Sequence, residues 1–315
     1  TAIAWTSINL YPFVIGLAFF LPTDLAFSCW FFFVLYQIQK VIVSALGIEE
    51  LPGFPFPTEQ AGGAYLAIGL LSLWLARRHL ADVWRTAVGG ADPLDESREP
   101  MRYRTAVFGF FGCWAILVVC GMALGGGPVA MTFFFLIFFL YGLAIARMRA
   151  ELGPPAHDLH AMGPEVLINN AVGTSNIGTG NLAAFSLFFG FNRAYRAHYA
   201  AHAAEALKIA QSSRLTARSM MGAMAIALVV GFFSSVWALL HALYVHGYSG
   251  KPAGNAFSTQ AWSRMESWVN FPKSAQTAAT IAAGVGLIFT LFLGAMRTRF
   301  TWWLWHPVGY ATASS

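Results

Sequence analysis

The sequence predicts an all-α, polytopic membrane helical bundle with discontinuous or re-entrant helices, and three observations predict it. Of the 315 residues 57% are hydrophobic and 10% charged, far from the roughly 25% charged residues of an average soluble domain, and the mean hydropathy is +0.58. Several apolar runs reach the roughly 20 residues that a spanning helix needs. One stretch, residues 164–192, starts and ends apolar yet holds four Asn, three Gly, two Thr and one Ser between Asn169 and Asn181. Backbone polar groups in hydrocarbon need internal partners, so such a segment at membrane depth must be buried in protein or line a wet cavity. The alternative reading is an ordinary polar loop between two spans.

The first apolar segment, 9–39, is interrupted at Leu21-Pro22-Thr23-Asp24. Pro22 removes a helical N–H, and Thr23 or Asp24 can cap the helix that restarts behind it, so a broken helix is expected. An acid inside a membrane span needs a partner, a proton or water, which makes Asp24 the candidate ion-coupling residue; the competing role is a pure cap. Residues 47–60 read as a Gly/Pro loop and 61–76 as the next span, ended by Arg77 and Arg78. The mixed-charge stretch 80–104 reads as a solvated cytoplasmic connection. Spans at 105–124 and 129–146 form a tight hairpin about Gly125–Pro128 and close on Arg147 and Arg149.

Basic residues then fix orientation. Arg147 and Arg149 before the central segment, and Arg193, Arg196, Lys208, Arg214 and Arg218 after it, place both flanks on the inner face. Residues 164–192 should therefore enter and leave on one side, as a re-entrant hairpin or two short crossings. Residues 194–213, rich in Ala, suit an inner or interfacial helix, and 219–246 a long span. In the outer interfacial loop 248–274, Trp262, Met265, Trp268 and Phe271 recur at helical spacing and predict a short amphipathic surface helix. Residues 275–296 return inside to Arg297 and Arg299, and Trp302, Trp303 and Trp305 mark an interface. The count is about six spans, one re-entrant element and a truncated last segment in a single transmembrane domain, 1–315, whose ends read as cut from a longer chain.

The chemistry points to binding rather than catalysis. Asn169, Asn170, Thr174, Ser175, Asn176, Thr179 and Asn181 offer amide and hydroxyl groups at a helix break, where half-helix ends and polar side chains can hold a small polar or zwitterionic solute. His157, Asp158 and His160 lack the spacing of a zinc motif. His198 and His202 share a helix face with Glu205 but lack the Glu that follows the first His in zinc peptidases. Cys29, Cys113 and Cys120 sit in apolar runs as small hydrophobes. No metal, cofactor or catalytic residue is assigned, and no enzyme is expected. The net charge of +5 sits at span ends and indicates orientation rather than nucleic acid. Expected partners are the lipid bilayer, a small solute, and a homo-oligomer or other membrane proteins.

The strings YPFVIGLAFFLPTDLAFSCWFF, ARMRAELGPPAHDLHAMGPE and MRTRFTWWLWHPVGYATASS resemble landmarks of bacterial multi-span membrane proteins of unassigned function, a group itself related to the oligopeptide transporter superfamily. Longer members of that group have further spans on both sides. The NPGPFNxKEH-type string of peptide-transporting members is not present. The resemblance implies an oligopeptide-transporter-like fold in a bacterial inner membrane, and supplies neither a substrate nor site residues. The functional expectation is ion-coupled secondary transport of a small peptide-like or metal-chelate-like solute, with Asp24 as coupling acid. The alternative is a non-transporting structural or accessory subunit of a larger membrane complex.

Overall fold

A computed structural model describes residues 10–47, 53–90, 94–153, 159, 162–193, 195, 198–247 and 254–313. Among the described residues every regular element is a helix: α1 Pro12–Ala18, α2 Thr23–Ala45, α3 Pro57–Val88, α4 Tyr103–Ala123, α5 Pro128–Leu152, α6 Pro164–Val172, α7 Thr174–Ile177, α8 Thr179–Leu187, α9 Phe189–Asn192, α10 Tyr199–Ser212, α11 Ala217–His246, α12 Gly254–Asn270, α13 Thr277–Arg299 and α14 Pro307–Thr312. Five of these, α2, α4, α5, α11 and α13, are long and apolar enough to cross a membrane. The chain breaks between α1 and α2 at Pro22, whose ring cannot continue the preceding turn.

Helix α3 is the hub, packed on α13, α5, α4 and α14. The expected span 61–76 lies inside it, but α3 is not among the five lipid-competent helices. Its N-terminal half carries Gly62, Gly63, Ala64, Tyr65 and Gly69, all buried. A helix stretch packed against protein needs small size more than hydrophobicity. A Cβ built on Gly63 would fall on the Ala283 carbonyl of α13, and one on Gly286 would fall on the Gln60 carbonyl of α3. The two backbones therefore touch, as only glycine at both points allows. Toward its other end α3 runs past Arg77 and Arg78 to Val88, deep into the stretch read as a loop. Nothing between Arg77 and Val88 breaks a helix, and Gly89-Gly90 supplies the stop.

Two apolar clusters surround the hub. The larger joins Phe32 and Tyr36 of α2, Tyr65 and Ile68 of α3, Tyr141 and Ile145 of α5, Leu293 of α13 and Tyr310 of α14. Tyr310 stacks on Tyr36 with ring centroids 5.4 Å apart, and its hydroxyl donates to Gln60 Oε1 at 2.8 Å. The smaller cluster packs Met131, Phe134 and Phe135 of α5 against Leu182 and Phe185 of α8 and against Phe188. Phe134 and Phe185 stack at 5.4 Å. This second cluster anchors the polar central segment to the bundle.

Candidate functional site

Residues 164–192 fold as four short helices, α6 to α9, rather than one span. Gly173 (φ +86°) and Gly178 (φ +83°) break the chain on either side of α7 in backbone conformations that L side chains rarely adopt. The first break also needs glycine for space, because a Cβ there would press on the backbone of 273–275. Proline at the start of α6 fits a first helical turn, where its missing N–H costs nothing.

Most of the polar residues in the break hold neighbouring turns. Asn181 Oδ1 accepts from Gly127 N at 2.6 Å, while its Nδ2 donates to Ile177 O at 2.6 Å; it ties the α4–α5 hairpin to the apex of the segment. Thr174 Oγ1 accepts from Lys273 N at 2.8 Å, and Ser175 N and Oγ both donate to Lys273 O at 3.2 Å. Asn176 Nδ2 caps back onto Val172 O, and Thr179 is exposed. The Asn170 carbonyl accepts from Gln276 N at 2.8 Å, and its side chain reaches Glu59 of α3. Asn169 differs from all of these. It is 7% exposed, and neither polar atom of its amide has a partner among the described residues.

The strongest polar cluster lies one turn before Asn169, at the place where the segment begins and ends. Glu165, 1% exposed, is the single charge in 164–192. Its Oε1 accepts from Arg264 Nη2 of α12 at 2.9 Å, and its Oε2 accepts from Asn192 Nδ2 at the far end of the same segment. The Arg264 guanidinium lies over the rings of Phe189, 4.7 Å away, and Trp268, 5.0 Å away. Beside it Arg193 Nε donates to Gln260 Oε1 at 3.1 Å. Glu165, Asn192, Arg193, Gln260 and Arg264 line a cavity of about 110 Å³. Asn192 Oδ1 and the Tyr141 hydroxyl are buried without hydrogen-bond partners among the described residues, and Tyr141 lies close enough to feel the Glu165 charge.

The chain belongs to DUF6785, a family of unknown function. The match covers residues 1–315. No curated protein and no solved structure matches it.

Glu165 is not among the site residues expected from the sequence, although a lone acid opening an apolar, Asn-rich segment is a signal in itself. Arg264 was hidden among Trp262, Met265 and Trp268 in a helix assigned to the outer surface. In the structure α12 packs along α7, α8 and α9, and Trp268 joins the second apolar cluster. Sequence periodicity shows that α12 is amphipathic, but not which surface its apolar side meets.

Asp24 sits in the first turn of α2, away from the central segment, and its Oδ2 accepts from Arg297 Nη1 of α13 at 2.5 Å. Nearby, His306 is 6% exposed; its Nδ1 accepts from Val308 N at 3.1 Å, capping α14. Burial first, and the Arg297 guanidinium next, push the His306 imidazole down to about 4. The neutral ring must then carry its proton on Nε2, which faces Glu151 Oε2 at 3.5 Å. Among the described residues His198, His202 and Glu205 do not group to hold a metal, although His202 Nδ1 lies 3.7 Å from Glu205 Oε2. His198 turns its ring toward Phe138 and Tyr195, where burial lowers its pKa, while Glu205 is held by Arg149 through two N–H groups at 2.5 and 3.1 Å. Among the described residues no three His, Cys, Asp or Glu side chains group to hold a metal. His157, Asp158 and His160 lie outside the described residues.

Proposed function

We propose that this protein is an ion-coupled secondary transporter of a small peptide-like or metal-chelate-like solute, with its site on the broken segment 164–192. One observation carries the reading. The two ends of a discontinuous helical element meet at a buried carboxylate, Glu165, beside a small polar cavity, and one turn along the same face of α6 the Asn169 amide is buried with no partner. Leaving such groups unpaired in an apolar bundle costs about 1–3 kcal/mol each, a cost that a bound solute offsets. Broken helices with polar groups at the break are how many transporters build a site. Asn169 then contacts solute, Glu165 carries the coupled ion, and Asp24 is the second carboxylate to test.

Purified protein in liposomes with an imposed ion gradient should take up small peptides or their metal chelates above the level of empty liposomes. Glu165→Gln and Asn169→Ala should each cut that uptake at least about tenfold while the protein stays in the membrane. Loss of gradient dependence in Asp24→Asn alone would move the coupling to the Arg297 pair. Wild-type protein that moves none of these solutes under any gradient would refute transport.

A second reading rests on α11. This 30-residue helix is apolar on every side and has no buried residue. Ser219, Ala223, Ala227, Gly231 and Ser235 repeat every fourth position along it, the kind of small-residue face on which membrane helices associate. A bare helix of this kind favours a non-transporting structural or accessory subunit. Native mass and subunit content after mild detergent extraction decide between the two readings: fixed stoichiometry with other polypeptides supports the subunit.

A further inference from the structure

Where α10 turns into α11 the fold opens a cavity of about 810 Å³, lined by Arg98, Glu99, Lys208, Gln211, Arg214 and Arg218. Four cations face one carboxylate there, and Glu99 is already engaged, accepting from the Tyr103 hydroxyl at 3.2 Å. Lys208 Nζ meets the Gln211 amide oxygen at 3.3 Å. Among the described residues Arg98, Arg214 and Arg218 make no ion pair, although Arg98 feels the nearby Asp95 charge. The backbone reinforces the pattern. Arg214 takes φ +58°, a left-handed conformation that suits glycine or asparagine at a helix end, so the cation stands where a smaller residue would be less strained.

The surroundings of this cavity distinguish between kinds of anion. Helix α11 leaves it with apolar side chains on every side and none buried, and Leu215, 53% exposed, stands next to Arg214 at its edge. The basic residues lie on the side of the membrane that loop charges mark as inner. A molecule with its charged end among these side chains therefore has an apolar wall running away from it along α11. A small soluble anion would use only the charges. Basic pockets at the ends of membrane helices on this side suit the headgroups of anionic lipids. We propose that this cavity binds the phosphate headgroup of an anionic phospholipid, whose acyl chains lie along α11.

The test uses the whole protein in mild detergent, offered phosphatidylglycerol and phosphatidylcholine with identical acyl chains, with bound lipid counted by native mass spectrometry. Phosphatidylglycerol should be retained at least about tenfold better, and the preference should shrink as salt rises. The triple variant Lys208→Gln, Arg214→Gly, Arg218→Gln should lower phosphatidylglycerol retention about a hundredfold. Should that variant fail to fold, Arg214→Gly alone, which relieves the backbone, should lower it about fivefold. Equal retention of the two lipids, or folded variants that keep the preference, would overturn the proposal. So would displacement of phosphatidylglycerol by millimolar glycerol 1-phosphate, which would assign the cavity to a soluble phosphate ester.

Discussion

Removing Arg264 should loosen the central segment more than any other single truncation on α12. Arg264→Ala leaves Glu165, 1% exposed, with Asn192 as its remaining side-chain partner among those described. Stripping one partner from a buried ion pair costs about 3–5 kcal/mol, because the other charge stays buried and uncompensated. The stacked contacts with Phe189 and Trp268 add about 0.5–1 kcal/mol each. A loss of about 4 kcal/mol corresponds to roughly 8 °C in thermal midpoint for a chain of this size. Glu165→Gln should cost less, about 1–2 kcal/mol, since the Arg264 side chain is 25% exposed and can regain water. The double variant should then be more stable than the sum of the singles by about 2 kcal/mol. Unfolding in a fixed detergent measures all four proteins, and amide exchange along α12 locates the loss. Additive effects, or an Arg264→Ala midpoint within about 1 °C of wild type, would show that the pair does not hold the segment.

Two further outcomes follow from the packing and from the polar contacts around His306. His306, held down to about 4 against an ordinary 6.5, binds its proton more readily unfolded than folded, so stability should fall by about 3 kcal/mol as pH drops from about 6.5 to about 4, with no further change from this group below that. His306→Asn keeps an acceptor for the Val308 N–H and should flatten that slope; an identical pH profile in the variant would exclude His306 as its source. At the α3–α13 crossing, Gly63→Ala forces two backbones apart and should cost at least about 2 kcal/mol. Gly284→Ala, with nothing within 4 Å, should be neutral or stabilising by up to about 1 kcal/mol, and equal thermal shifts for the two would contradict the close crossing.

Composition and the spacing of apolar runs determined that the chain is helical with several lipid-competent helices, because those properties are local: hydropathy over about 20 residues needs no partner to be read. The same holds for the break at Pro22, whose ring cannot continue a helix, and for the Asn- and Gly-rich composition of 164–192, which marks a segment unlike a lipid-facing helix. What each polar residue in that segment does was not legible. Asn181 and Asn169 are the same residue type in the same stretch, yet one bridges to the Gly127 N–H while the other is buried without a partner. Charge partners were equally hidden, since Glu165 meets Arg264 and Asp24 meets Arg297 across long sequence separations. Nor does hydropathy mark α3 as the hub, because its buried half meets its neighbours through small residues at the crossings, a packing role that hydropathy does not register. Local pattern sets which segments are helical; only the packing of one helix on another decides which side chains meet.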